Sequence, residues 1–98
     1  MARTYNRSST DLNQPEIVAA LRKMGAAVFI TTCVKEFCDL VVGYNGVWTL
    51  LEVKDGSKPP SQRLLTPREL KAVKTANLVG CQIYVVNNID EAINVIFD

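Results

Sequence analysis

Apolar and polar positions along the chain change period several times, and each change marks an element. Ile17, Val18, Leu21 and Met24 recur at helical spacing, so Asn13 to Met24 reads as a helix. Pro15 sits in its first turn, where a missing N–H costs little, Asp11 or Asn13 is the N-cap candidate, and Gly25 is the stop. Ala26 to Cys33 is apolar and β-branched and reads as a strand. Asp39–Tyr44 and Val47–Lys54 read as two strands of a hairpin. Asn45-Gly46 between them suits a type I′ turn, whose central residues both need positive φ. Thr66, Pro67 and Glu69 make a capping box, which opens a helix running to about Leu78. Gln82 to Asn87 is a fourth strand, and Asn88 or Asp90 opens a last helix with Ile89, Ala92, Ile93 and Ile96 on one face.

The resulting order, α-β-β-β-α-β-α, predicts an α/β fold with a mixed sheet flanked by helices. Met1 to Thr10 is polar and reads as a flexible arm; residues 1–12 are expected to precede a single folded domain over 13–98. A chain of 98 residues, 48% hydrophobic, fits one small globular domain. No apolar run is long enough to span a bilayer, and the arm has no secretory apolar segment. Cys33, Cys38 and Cys81 have no metal-like spacing, and there is no histidine. The expectation is a cytoplasmic protein with reduced thiols, its cysteines acting as small core hydrophobes.

Net charge is only +1, but it is unevenly spread. Lys54, Lys58, Arg63, Arg68, Lys71 and Lys74 face only Asp55 and Glu69 in the same stretch, whereas Thr75 to Asp98 carries no base. Such asymmetry marks either a surface for a polyanion or a solvated loop and helix.

The hairpin register brings the chemistry into view. With Tyr44 opposite Val47, counting back places Asp39 beside Glu52, their side chains on one face about 5 Å apart. Lys54, two residues beyond Glu52, shares that face. Facing carboxylates repel unless something positive lies between them, and either Lys54 or a divalent cation can serve. A surface salt-bridge cluster is the plain alternative. Against it, Leu40, Val41, Val42, Leu50, Leu51 and Val53 make both strands apolar enough to be covered on both faces, so the acids are expected to be partly buried.

Asp39, the hairpin and then Glu52-Val53-Lys54 resemble the PD-(D/E)xK nuclease signature, with Cys38 where the signature has proline. The element order resembles the restriction-endonuclease-like αβββαβ core. More narrowly, "NQPEIVAALRKMGA", "CDLVVGYNGVWTLLEVKDGSKPPSQRLLTPREL" and "IYVVNNIDEAINVI" resemble small stand-alone VRR-NUC nucleases of phage type.

The resemblance implies a magnesium-dependent endodeoxyribonuclease, with manganese able to substitute. Asp39 and Glu52 would hold the metal with the Val53 carbonyl. Glu16 on the first helix would reach it directly or through water, with Gln14 beside it as a weaker candidate. Lys54 would orient or deprotonate the attacking water, or stabilise charge at the phosphate. Lys58, Gln62, Arg63, Arg68 and Lys71 would contact DNA. Glu69 stands where many relatives carry glutamine, although the capping box gives it another task. The resemblance also implies a homodimer acting on branched DNA such as a four-way (Holliday) junction, in a phage or bacterial setting. So small a monomer can scarcely hold two strands at once, which also favours a dimer. The alternative is a catalytically silent nucleic-acid-binding or assembly module of the same fold. Trp48 reads as a packing or interface residue rather than a base-stacking platform.

Overall fold

A computed structural model of the chain describes residues 11–98; the arm expected over 1–12 therefore lies almost wholly outside the described residues. The elements are α1 (Gln14–Lys23), β1 (Ala27–Ile30), β2 (Leu40–Tyr44), β3 (Val47–Val53), a 3-10 turn (Pro60–Gln62), α2 (Pro67–Leu78), β4 (Ile83–Val86) and α3 (Ile89–Phe97). The sheet runs β1-β2-β3-β4, with the first two pairings antiparallel and β3–β4 parallel. This is the expected mixed α/β order.

Local chemistry accounts for the boundaries. Asn45 (φ 52°) and Gly46 (φ 80°) are both left-handed, so the turn fixes Tyr44 against Val47 and with it the whole register. At the start of α2, Thr66 Oγ1 accepts from the Glu69 N–H (3.2 Å) and Glu69 Oε1 accepts from the Thr66 N–H (2.8 Å). Asn88, not Asp90, caps α3, its Oδ1 accepting from the Glu91 N–H at 2.8 Å. The first strand is shorter than expected because Thr31 turns the chain. Its N–H bonds the Asp39 carbonyl (2.8 Å) and its hydroxyl the Cys38 carbonyl (2.8 Å).

Two apolar layers cover the sheet. Ile17, Val18 and Leu21 of α1 and Ala92 of α3 pack on Val28, Leu40, Val42, Leu51, Val53 and Val86. Each large side chain withdrawn from water in this way contributes about 1.5–3 kcal/mol. On the other face Ala72 of α2 joins Cys38, Ile83, Val41 and Leu50. The expectation that all three cysteines lie in the core holds only for Cys38; Cys33 and Cys81 are exposed, in connections beyond the strand ends. Trp48 is 63% exposed at the hairpin, its ring centroid 5.9 Å from that of Phe29.

Candidate active site

Asp39 lies just before β2, and Glu52 lies near the end of β3. The strand pairing ends at Leu40–Leu51; the Asp39 N–H also bonds the Leu51 carbonyl, at 3.0 Å, and the Asp39 carboxyl lies beside that of Glu52. Both are buried, at 8% and 3% exposure, and Lys54 at 8% lies on the same face. That face is covered by α2, which brings in Glu69.

The polar bonds form one network. Asp39 Oδ2 accepts from the Val53 N–H at 2.8 Å, so the acid is tied across the hairpin to the residue between Glu52 and Lys54. Lys54 Nζ donates to Glu69 Oε1 at 2.6 Å, the same oxygen that closes the capping box. Glu69 therefore fills both roles set out for it, starting α2 and facing the site. Burial, reinforced by hydrogen bonds and negative charge from Glu69 and Asp39, pushes the Glu52 carboxyl up to about 10. Burial also pushes Asp39 up, against the lowering effect of the Val53 N–H and of Glu52. Burial acts upward on Glu69 too, but hydrogen bonds from Glu52, Lys54 and Thr66 outweigh it and bring Glu69 down to about 2. At neutral pH, Glu52 is thus held as a carboxylic acid beside Glu69 and Asp39.

Cys38, in the place of the signature's proline, is held without a ring: its thiol donates to the Leu40 carbonyl (3.4 Å) and its own carbonyl accepts from Thr31. Burial raises this thiol above its ordinary value, which suits a packing residue rather than a nucleophile.

On α1, Gln14 rather than Glu16 points inward. Gln14 is 3% exposed, its Nε2 donates to Thr32 Oγ1 (3.0 Å), and its Oε1 is buried without a partner. Glu16 is exposed and, among the described residues, has no hydrogen bond or ion pair with Asp39, Glu52 or Lys54. The helical spacing already carried this signal, because Gln14 lies on the face of Ile17, Val18 and Leu21 and Glu16 does not. Asp11, a cap candidate by residue type, does not occupy the N-cap, which is Asn13. Burial raises the Asp11 carboxyl, and Lys54 and Asp39 lie within its electrostatic reach.

The expected DNA-contacting residues divide by position. Lys58 and Gln62 are exposed in the loop that leaves the site, and Arg63 is anchored there by Nε to the Lys58 carbonyl (2.7 Å). Asp55 launches that loop, its Oδ1 accepting from the Ser57 N–H (3.0 Å) and hydroxyl (2.7 Å). Arg68 and Lys71 are exposed on α2, and Lys71 forms an exposed ion pair with Glu36 at 3.5 Å.

No protein-family model matches the chain, and no curated protein matches it. A solved structure described as a "VRR_NUC domain" superposes with a TM-score of 0.60 at 18% identity, over 87% of this chain and 95% of that one. The chain has the VRR_NUC fold. Asp39, Glu52 and Lys54 therefore sit on a fold shared with that domain.

The donor set suits a hard divalent cation in kind, being oxygen-rich, buried and acidic. Among the described residues no group of three or more histidine, cysteine, aspartate or glutamate side chains is already arranged to hold a metal ion. Glu52, pushed up to about 10, would have to give up its proton for a cation to take its oxygens.

Proposed function

We propose that the chain is a metal-dependent DNA endonuclease acting on branched DNA such as four-way junctions, as a homodimer. The observation that carries this reading is Asp39 beside Glu52 with Lys54 on the same buried face, in a VRR_NUC fold. Asp39, Glu52 and the Val53 carbonyl would hold Mg²⁺, with Mn²⁺ able to substitute. When bound, the ion supplies Lewis-acid polarisation of the phosphoryl oxygen and a more acidic water. Asp39 is fixed for this by the Val53 N–H on one oxygen. Glu52 gives up its proton. Lys54, aimed by Glu69, donates to the attacking water or to a phosphate oxygen. Lys58, Gln62 and Arg63, on the loop directly after Lys54, grip the backbone beside the cut, with Arg68 and Lys71 extending the contact along α2. Among the described residues no helix is long and apolar enough to cross a membrane.

The mutual hydrogen bonding of the carboxylates is what a catalytically silent DNA-binding or assembly module of this fold would also show. Cleavage separates the two readings. Supercoiled, four-way-junction and single-stranded DNA are incubated with the protein in Mg²⁺, in Mn²⁺ or in EDTA. The nuclease reading expects strand scission in Mg²⁺, fastest on the junction and absent in EDTA. Binding without scission in either Mg²⁺ or Mn²⁺ would favour the silent module.

A further inference from the structure

We propose that Asn13 is a positioning residue for Lys54, an inference that rests on the nuclease reading above. Asparagine is among the best N-cap residues because its side-chain oxygen accepts from the first free N–H groups of a helix. Asn13 occupies the N-cap of α1, yet it makes no side-chain cap and its backbone is αR (φ −84°, ψ −5°) rather than extended. Its amide is used elsewhere. Nδ2 donates to the Lys54 carbonyl at 3.0 Å and to the Asn87 carbonyl at 3.0 Å, across 41 and 74 residues of sequence. Two carbonyl oxygens can be met only by the NH₂ end, so the amide orientation is fixed. The cost is visible at the other end, where Oδ1 is buried without a partner.

The place of this clamp gives it meaning. β3 and β4 stop pairing here: the Lys54 N–H still bonds the Val86 carbonyl (2.9 Å), and the Gly56 N–H then takes the Asn87 carbonyl (2.9 Å). The chain turns so closely that a Cβ on Gly56 would lie 2.6 Å from the Asn87 oxygen. The Lys54 carbonyl is past the last strand pair, and Asn13 supplies its donor. With N–H and C=O both held, the Lys54 backbone has little freedom, and its side chain is directed at Glu69 and the acids.

The test compares Asn13→Ser, Asn13→Ala, Lys54→Ala and the double variant Asn13→Ala/Lys54→Ala. Serine is itself a good N-cap type and preserves the helix start while deleting both donors. Asn13→Ser is expected to stay folded with a lowered melting temperature, since the Lys54 carbonyl loses its donor, to keep KM and Mn²⁺ affinity, and to lose about 10- to 100-fold in kcat, the usual effect of removing an outer-shell partner. In the Lys54→Ala background the same loss should vanish, because the group being positioned is gone. An unchanged kcat in Asn13→Ser, or an equal loss with and without Lys54, overturns the proposal. A readout independent of turnover is the ¹⁵Nζ resonance of Lys54, assigned by Glu69→Gln. Asn13→Ser should shift it towards that of a solvated lysine, whereas an unmoved resonance overturns the proposal. If wild type does not cleave DNA, the nuclease reading fails and this resonance alone decides whether Asn13 holds Lys54.

Discussion

Lys54→Ala is expected to reduce kcat by about 10²- to 10⁴-fold, the range associated with a positioned proton-transfer or charge-stabilising group. The side chain is 10% exposed and is held at 2.6 Å by Glu69, so it is a fixed donor and not a mobile surface charge. Removing it takes no oxygen from the carboxylate pair, so metal affinity should stay close to wild type. DNA affinity should also change little, because Lys58, Arg63 and the exposed bases of α2 remain. The fold should persist as well. Glu69 keeps its capping-box bond to the Thr66 N–H, and the Lys54 backbone keeps its bonds to Val86 and Asn13. Single-turnover cleavage with saturating protein reads the chemical step directly. A rate equal to wild type would reduce Lys54 to an ion-pair partner of Glu69.

Asp39→Asn should abolish metal-dependent cleavage, with a loss of at least about 10³-fold if the ion supplies several kcal/mol of transition-state stabilisation. This substitution isolates charge from structure. The native Asp39 oxygen accepts from the Val53 N–H at 2.8 Å, and an asparagine oxygen can accept the same bond. The Asp39 main chain, paired to Leu51 and Thr31, is unaffected. The variant should therefore melt like wild type, bind DNA and fail to cut. Cleavage in Mg²⁺ at a comparable rate would show that Asp39 is only a strap between β2 and β3.

The central pair was legible because one turn determines it. Asn45 and Gly46 admit positive φ at little cost, that fixes Tyr44 against Val47, and counting back leaves Asp39 beside Glu52. The inward face of α1 was legible too, in the spacing of Ile17, Val18 and Leu21, and the same spacing favours Gln14 over Glu16 as the inward polar residue. What could not be read depends on how separate elements dock. The capping box identified Glu69 locally, but its bond to Lys54 requires α2 to lie over the sheet at one angle. Asn13 has the residue type of a cap, and its clamp on Lys54 and Asn87 exists only because α1 begins where β3 and β4 diverge. Cys33 and Cys81 were misjudged because residue type alone does not show that the strands end before them, leaving both in exposed connections.

The claim that Asp39 and Glu52 form a divalent-metal site is tested most directly by calorimetric titration of Mn²⁺ at pH 8 in two buffers of different ionisation enthalpy. Glu52, held protonated up to about 10, must release its proton when a cation takes its oxygens, since at pH 8 it lies below that value. The account predicts saturable binding, an observed heat that differs between buffers by close to one proton per site, and loss of both in Asp39→Asn. The buffer dependence should fade as the pH approaches 10, where Glu52 is already losing its proton. Binding with equal heat in both buffers, or binding that survives Asp39→Asn, would contradict it.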